Sequence, residues 1–269
     1  MKAAAPRLQG KVAIVTGAGC VGPGWGNGRA IAVRFAAEGA RVFAVDRDPA
    51  AMDETLAFIR EADGEATPYA GDVTDSNAIA ALVAACVRTY GGVDILVNNV
   101  GGPAPGGPVA LSEQDWARQL DLNLTSVFLM CKHVIPLMEQ QGAGSIVNIA
   151  STSGIRFTGA PAVGYAAAKA GVIQFGRVVG VEYAKKGIRI NTVLPGQLHT
   201  PLVDAVLTRS QSGGDIEALL QRRQSRIPLP FMGDGRDTAN AALFLASDEA
   251  RFITGTEILV DGGMSARCD

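Results

Sequence analysis

Short runs rich in β-branched residues recur along the chain, and longer segments with helical spacing separate them. The runs are VAIV from Val12, RVFAV from Arg41, VDILV from Val93, SIVNIA from Ser145, IRINTV from Ile188 and EILV from Glu257. Helical patterns lie near 28–38, 50–62, 76–89, 123–141, 162–185 and 237–246. Strands that alternate with helices must return by crossovers, so they pair in parallel and need cover on both faces. The pattern predicts an α/β fold with a doubly wound, mostly parallel sheet and helices on both sides. Residues Thr67 to Ala70 supply one more strand. Within the helical segments, Pro136 predicts a kink or a locally relaxed turn, and Asp237 predicts a helix cap.

A chain of 269 residues can be one large domain or two small ones. No linker argues for a cut. The longest Gly/Pro-rich stretches, 17–28 and 101–108, each follow a strand-like run, which is where a doubly wound sheet carries its site loops. One domain over 1–269 is therefore expected, with a helical segment around 201–235 covering the site. Hydrophobic residues at 48% allow a sizeable core, and a net charge of −2 indicates no general attraction to nucleic acid. The N-terminal MKAAAPRLQGKVAIVTG resembles neither a secretory signal nor a membrane span, so a cytoplasmic protein is the default expectation. Cys20, Cys86, Cys131 and Cys268 show no metal-ligand spacing, and no metal is expected.

The stretch from Thr16 to Ala30, TGAGCVGPGWGNGRA, joins the first strand to an amphipathic helix. Glycines there let backbone N–H groups approach a phosphate closely, and the helix adds the positive end of its dipole. Gly17, Gly19, Gly26, Asn27 and Gly28 are thus candidates for holding a dinucleotide pyrophosphate. Trp25 either folds over the cofactor as an apolar lid or packs the loop against its neighbours. Asp46, at the end of RVFAVD, can accept hydrogen bonds from both ribose hydroxyls while repelling a 2′-phosphate. That favours NAD, with NADP as the alternative because the adjacent Arg47 can bind the extra phosphate. Asp72 and Val73 can serve the adenine, the acid by bonding its amino group and the valine by covering the ring. Asp75 is the candidate cap of the following helix. Asn98 and Asn99 end VDILVNN, where their amides can tie loops together or face the cofactor ribose, with Val100 and Gly101 beside them.

In YAAAK, Tyr165 and Lys169 stand four residues apart and share a helical face. A free tyrosine is a poor base, but a nearby ammonium can bring its phenolate toward working pH. Upstream, IVNIASTSG ends a strand in hydroxyl residues. Ser151 is the candidate for orienting a substrate oxygen, with Thr152 and Ser153 as competitors.

Taken in order, TGAG…GNG, DV, NNVG, Asn123, Ser151, YAAAK and LPG resemble the classical short-chain dehydrogenase/reductase family over nearly the whole chain. The resemblance implies a Rossmann-like fold, a nicotinamide cofactor and a Ser-Tyr-Lys group. By that likeness Ser151 orients the hydroxyl or carbonyl and Tyr165 transfers its proton. Lys169 lowers the tyrosine pKa and binds ribose, and Asn123 holds a lysine-linked water in a proton relay. Pro195, Gly196, Leu198 and Thr200 would hold the carboxamide side of the cofactor and shape the pocket. Two departures stand out: nine positions separate Gly17 from Gly26, five more than the family loop, and 14 separate Ser151 from Tyr165, one more than usual.

The leading expectation is reversible hydride transfer between NAD(H) and a secondary alcohol or ketone. An NADPH-dependent carbonyl or 3-oxoacyl reductase and a non-enzymatic dinucleotide-binding regulator are the alternatives. His199 is read as loop packing or a substrate contact. Arg222, Arg223 and Arg226 in the covering segment either form surface salt links or attract an acidic substrate, and Arg156 is read with the same caution. The C-terminal VDGGMSARCD resembles a family edge that helps form tetramers. A homotetramer is expected, with a dimer as the alternative.

Overall fold

A computed structural model describes residues 5–207 and 211–268. Seven strands form one parallel sheet: β1 (Val12–Thr16), β2 (Arg41–Asp46), β3 (Glu65–Ala70), β4 (Ile95–Asn98), β5 (Gly144–Ile149), β6 (Ile188–Pro195) and β7 (Glu257–Val260), in the order β3-β2-β1-β4-β5-β6-β7. The β-branched runs become strands because both faces are covered. Every residue of β1 and β4 is buried. The order reverses between β1 and β4, the place where a sheet of this type opens a crevice at its carboxyl edge.

One face is packed by α1 (Asn27–Ala37), α2 (Asp53–Glu61) and the helix Gly235–Ala246, through Phe35, Ile59 and Leu243. On the other face lie α3 (Ser76–Tyr90), α5 (Ser126–Gln141) and α6 (Val163–Glu182), through Leu82, Met130 and Val172. Asp75 caps α3 as expected, its Oδ1 accepting from the Asn77 amide at 2.7 Å. Cys86 and Cys131 are buried in the second cluster, and burial pushes each thiol up to about 12, which makes both inert.

Three local readings need correction. A helix α4 (Glu113–Leu120) stands where none was expected. It is short and mostly polar, with only Trp116, Ala117 and Leu120 apolar, and its start is set by Ser112, which accepts from the Asp115 amide at 3.0 Å. The relaxed turn falls not at Pro136 but upstream, as a π-helical turn over Asp121–Thr125; α5 runs on through Pro136. The last long helix, α8 (Gly235–Ala246), is capped by Asp234 rather than Asp237, and Asp237 closes a capping box by accepting from the Asp234 amide at 2.9 Å. The stretch Glu113–Gln141 is long and apolar enough, by length and composition, to cross a membrane. Here Val127, Met130, Val134 and Met138 of that stretch are core residues.

Candidate active site at the carboxyl edge of the sheet

The glycine loop leaves β1 at Thr16, whose hydroxyl donates to the Val97 carbonyl at 3.0 Å and accepts from the Asn99 amide N–H at 3.1 Å. The Asn99 side chain then donates to the carbonyls of Thr16 and Gly17, both at 3.1 Å. Asn99 therefore pins the loop to β4. Gly17 has φ +64°, and a Cβ on Gly28 would lie 1.8 Å from the Gly17 carbonyl oxygen. Only glycine lets the first turn of α1 come so close to β1. Gly26 is the N-cap of α1 and supplies no side chain there, so the first amides of the helix have no side-chain cap.

The loop extension is fastened from below. Arg29, only 2% exposed, donates through Nη1 to the Gly24 carbonyl at 2.7 Å, through Nε to Thr55 at 3.3 Å, and pairs with Glu54. Trp25 is not a lid over the crevice. It stacks on Phe58 at 5.1 Å between centroids, with the Arg236 guanidinium 5.6 Å away, so the packing reading holds. The extension also reaches across the mouth, where Gly22 and Gly24 lie against Pro201.

Asp46 ends β2 and accepts through Oδ2 from the Gly19 amide at 2.9 Å and through Oδ1 from the Asp48 amide at 3.1 Å. Arg47 beside it is exposed. Asp72 lies below its usual carboxylate range because Thr74 donates to it through both hydroxyl and amide, with Arg47 adding a smaller attraction. Val73 is buried in the core, so its side chain faces inward rather than standing as a ring cover. Asn98 turns away from the crevice altogether and donates to Asn148 at 2.9 Å. Val100 and Gly101 follow Asn99, and a Cβ on Gly101 would meet Asn123 Oδ1 at 2.5 Å and Lys169 Nζ at 3.0 Å.

Asn123 sits in the π turn and is fully buried. Its Oδ1 accepts from the Gly102 amide at 3.0 Å and its Nδ2 donates to the Gln119 carbonyl at 2.9 Å. Lys169 is 3% exposed and donates to the Ile149 carbonyl at 2.9 Å, with Nζ 5.7 Å from the centre of the Tyr165 ring. Burial pulls its pKa down to about 8. Tyr165 is pushed up by burial, and its hydrogen bond with Ser151 opposes that rise. At Tyr165 desolvation outweighs the lowering that Ser151 supplies. Among the competing hydroxyls, Ser151 is the one that counters the rise at Tyr165; Ser153 is engaged with Thr158 at 3.1 Å. The longer serine-to-tyrosine interval is absorbed by a 3₁₀ turn, Thr152–Gly154, and the loop after it.

A cavity of about 150 Å³ gathers Ser151, Tyr165, Asn27, Pro195, Gly196, Leu198 and Thr200. Sequence reasoning passed over Thr158 and Gln197, which line it too. Gln197 donates to the Thr158 carbonyl at 2.7 Å, and its Oε1 is buried without a partner. Asn27 Oδ1 is likewise buried and unpartnered at the start of α1. These orphaned acceptors, together with the open helix terminus and the Asp46 carboxylate, fit an amide-bearing dinucleotide. His199 is outside this cavity and pairs with Asp204 at 3.1 Å. The covering segment forms a π turn, Val203–Leu207, and α7 (Ile216–Gln224), joined through Val203, Leu207 and Leu219. Its residues 208–210 lie outside the described residues.

Known proteins resemble this chain over nearly its whole length. A family model described as enoyl-(acyl carrier protein) reductase matches residues 23–265. A solved short-chain dehydrogenase/reductase from Burkholderia xenovorans is 72% identical, covers 98% of this chain and all of its own, and superposes with a TM-score of 0.95. Carveol dehydrogenase from Mycobacterium avium, solved with NAD, is 33% identical with a TM-score of 0.89, covering 97% of this chain and 100% of its own. An actinorhodin polyketide ketoreductase, solved with NADPH, is 36% identical with a TM-score of 0.88, covering 96% and 98% respectively.

Proposed function

The chain belongs to the short-chain dehydrogenase/reductase family and is an oxidoreductase of a kind that works with a nicotinamide cofactor; from that premise we propose that it moves hydride reversibly between NAD(H) and a secondary alcohol or ketone. The observation that carries the reading is that Ser151 and Tyr165 line one cavity, with Lys169 Nζ 5.7 Å from the centre of the Tyr165 ring. Bound in the crevice, the nicotinamide supplies the hydride acceptor for oxidation and the donor for reduction. The rest of the work falls to this chain. Ser151 donates to the substrate oxygen and holds it against the phenol. In oxidation Tyr165 takes the hydroxyl proton, and in reduction it returns one. Lys169 places positive charge near the phenolate, and Asn123 fixes the Gly102 backbone beside that lysine.

Because burial holds Tyr165 above its ordinary value, the phenol is protonated at neutral pH. Ketone reduction is therefore served at neutral pH, whereas alcohol oxidation needs the phenolate and its kcat/KM rises toward alkaline pH. NAD is favoured by the Asp46 carboxylate at the loop. An NADPH-dependent carbonyl or 3-oxoacyl reductase is the second reading, resting on exposed Arg47 beside Asp72. A homotetramer is also proposed, supported by exposed Val178, Val181, Phe252 and Leu259 around the β7 edge; solution mass checks it.

The test is Tyr165→Phe, which keeps the ring and removes the proton. Turnover of alcohols and ketones drops by about 10²–10⁴-fold while fluorescence titration shows reduced cofactor still bound. Unchanged turnover would remove Tyr165 from the chemistry, and wild-type protein that binds cofactor but turns over neither class would point to a regulator.

A further inference from the structure

Three arginines are buried or nearly so, and two of them are fully occupied. Arg29 meets Glu54, Thr55 and the carbonyls of Gly22 and Gly24. Arg189 donates to the carbonyls of Leu245, Ile253, Ala246 and Ser247. Arg223 is different. It is 7% exposed, yet among the described residues its one recorded partner is the Leu198 carbonyl, 3.2 Å from Nη2, and its Nε is buried with no partner at all. No carboxylate pairs with it there. The acids nearby are committed elsewhere: Asp204 to His199, and Asp215 to the Ala218 amide at the cap of α7. The neighbouring charge is another cation, Arg226, whose Nη1 donates to the Thr158 carbonyl at 2.9 Å.

Burying a guanidinium with most of its donors idle is costly, and the charge cannot be shed. Burial and Arg226 pull its pKa down only to about 10, so it stays ionised at neutral pH. A charge of this kind persists where a ligand completes it. Its position says which ligand. Arg223 lines both the cavity that holds Ser151 and Tyr165 and an adjoining one of about 250 Å³. That second cavity has apolar walls from Pro103, Pro105, Leu207 and Leu219, and Arg222 and Arg226 line it beside Arg223. It is smaller than the roughly 300–1,000 Å³ that drug-sized ligands take.

We propose that Arg223 anchors a carboxylate on the substrate, so that the enzyme acts on small hydroxy acids and the corresponding oxo acids. The carbinol carbon lies at Ser151 and Tyr165, the short apolar chain runs along the prolines and leucines, and the carboxylate meets the idle donors of Arg223, where a planar fork matches it in two bonds. This rests on the oxidoreductase reading of the site. Of the three arginines lining the cavity, Arg222 donates to the Gln211 carbonyl and Arg226 to the Thr158 carbonyl, and Arg223 is the buried one with an unpartnered Nε, so a single carboxylate is the complement it calls for.

The first arm needs no turnover. Butyrate is compared with butyramide as a probe on the cofactor-bound protein, with chloride matching the ionic strength. Butyrate raises the melting temperature of the wild type, butyramide does not, and neither moves Arg223→Met. Arg223→Met should itself melt no lower than wild type, since it removes a buried, poorly paired charge, whereas a structural arginine would leave a destabilised variant. The second arm measures turnover of four- to eight-carbon hydroxy acids and their methyl esters. Acids exceed esters by about 100-fold in kcat/KM, and Arg223→Met loses that preference mainly through KM, with Arg223→Lys between the two. A butyrate shift no larger than chloride gives, or esters turned over as well as acids, overturns the carboxylate anchor while leaving the oxidoreductase reading intact. Failure to turn over any alcohol or ketone, charged or neutral, overturns that reading instead.

Discussion

The glycine loop and the segment after β6 face each other across the mouth of the sheet and are built on opposite rules. In the loop, side chains spend their hydrogen bonds on the protein itself. Asn99, Thr16, Arg29 and Asp46 all bond to backbone groups, and the surfaces left for a ligand are glycine backbone and a helix terminus, with Asn27 Oδ1 the one buried side-chain atom there that has no partner among the described residues. Across the mouth, Gln197 and Arg223 keep buried polar atoms with no partner. A pyrophosphate has one shape and charge, so a rigid backbone cradle suits it. Substrates differ in functional groups, so their side of the cleft is specified by side chains left incomplete. Backbone shape decides one half and unpaired polar chemistry decides the other.

The largest effect that can break this comparison is steric. In Gly28→Ala the new Cβ falls 1.8 Å from the Gly17 carbonyl and 2.5 Å from Asn99 Nδ2, so the loop must open. Cofactor affinity should fall by at least 100-fold, about 2.7 kcal/mol, in a titration of reduced cofactor. Gly22→Ala is the control within the same loop, since its nearest contact is Pro201 at 3.7 Å and its affinity should stay within about twofold. Equal losses at both positions would mean that the loop as a whole, rather than the close approach of α1 to β1, forms the cradle.

A second contrast comes from two buried cations that have no carboxylate partner among the described residues, Lys169 and Arg223. Lys169 is pulled from 10.5 to about 8, and Arg223 is pulled down to about 10. A base with a depressed folded pKa destabilises the protein fully below that value, and the penalty fades as pH rises toward the unfolded value. Replacing Lys169 by Met should therefore stabilise the fold at pH 7 by about 2 kcal/mol, roughly 3 from the shift less about 1 for the lost bond to Ile149. That gain shrinks between pH 8 and 10.5. For Arg223→Met any gain should hold until about pH 10. Urea melts at pH 7 and pH 9.5 separate the two, and parallel pH dependence would show that burial does not set these charges apart.

How much of this was legible in the chain follows the same division. The strands and the glycine loop were readable because β-branched runs and close backbone approach impose residue types that cannot be exchanged. Helix α4 was not, since EQDWARQL is a two-turn stretch whose apolar face is only Trp116, Ala117 and Leu120. The π turn at Asp121–Thr125 was invisible, because its cause is tertiary: Asn123 bonds to both Gly102 and Gln119. Arg223 was visible only as one of three arginines on a helix. Its difference from exposed Arg222 lies in which face of α7 packs on Val203 and Leu207, and a segment with so few apolar residues does not announce that face.

The smallest effect tests whether the cofactor side has any side-chain choice at all. Asp46 has two duties in one carboxylate. Its Oδ2 accepts from the Gly19 amide and its Oδ1 from the Asp48 amide, which shapes the loop, and its charge lies where an adenosine ribose would sit. Asp46→Asn separates them, since the amide oxygen can still accept from one of these amides while the charge is gone. If the charge selects the cofactor, repulsion of a 2′-phosphate ends and exposed Arg47 becomes the nearest charged group, so NADPH should gain on NADH by about tenfold, roughly 1.4 kcal/mol. Paired fluorescence titrations of the wild type and the variant read this ratio directly. A ratio that stays put while both affinities weaken together would make Asp46 a loop pin only, and the cofactor half of the mouth would then be specified by backbone shape alone.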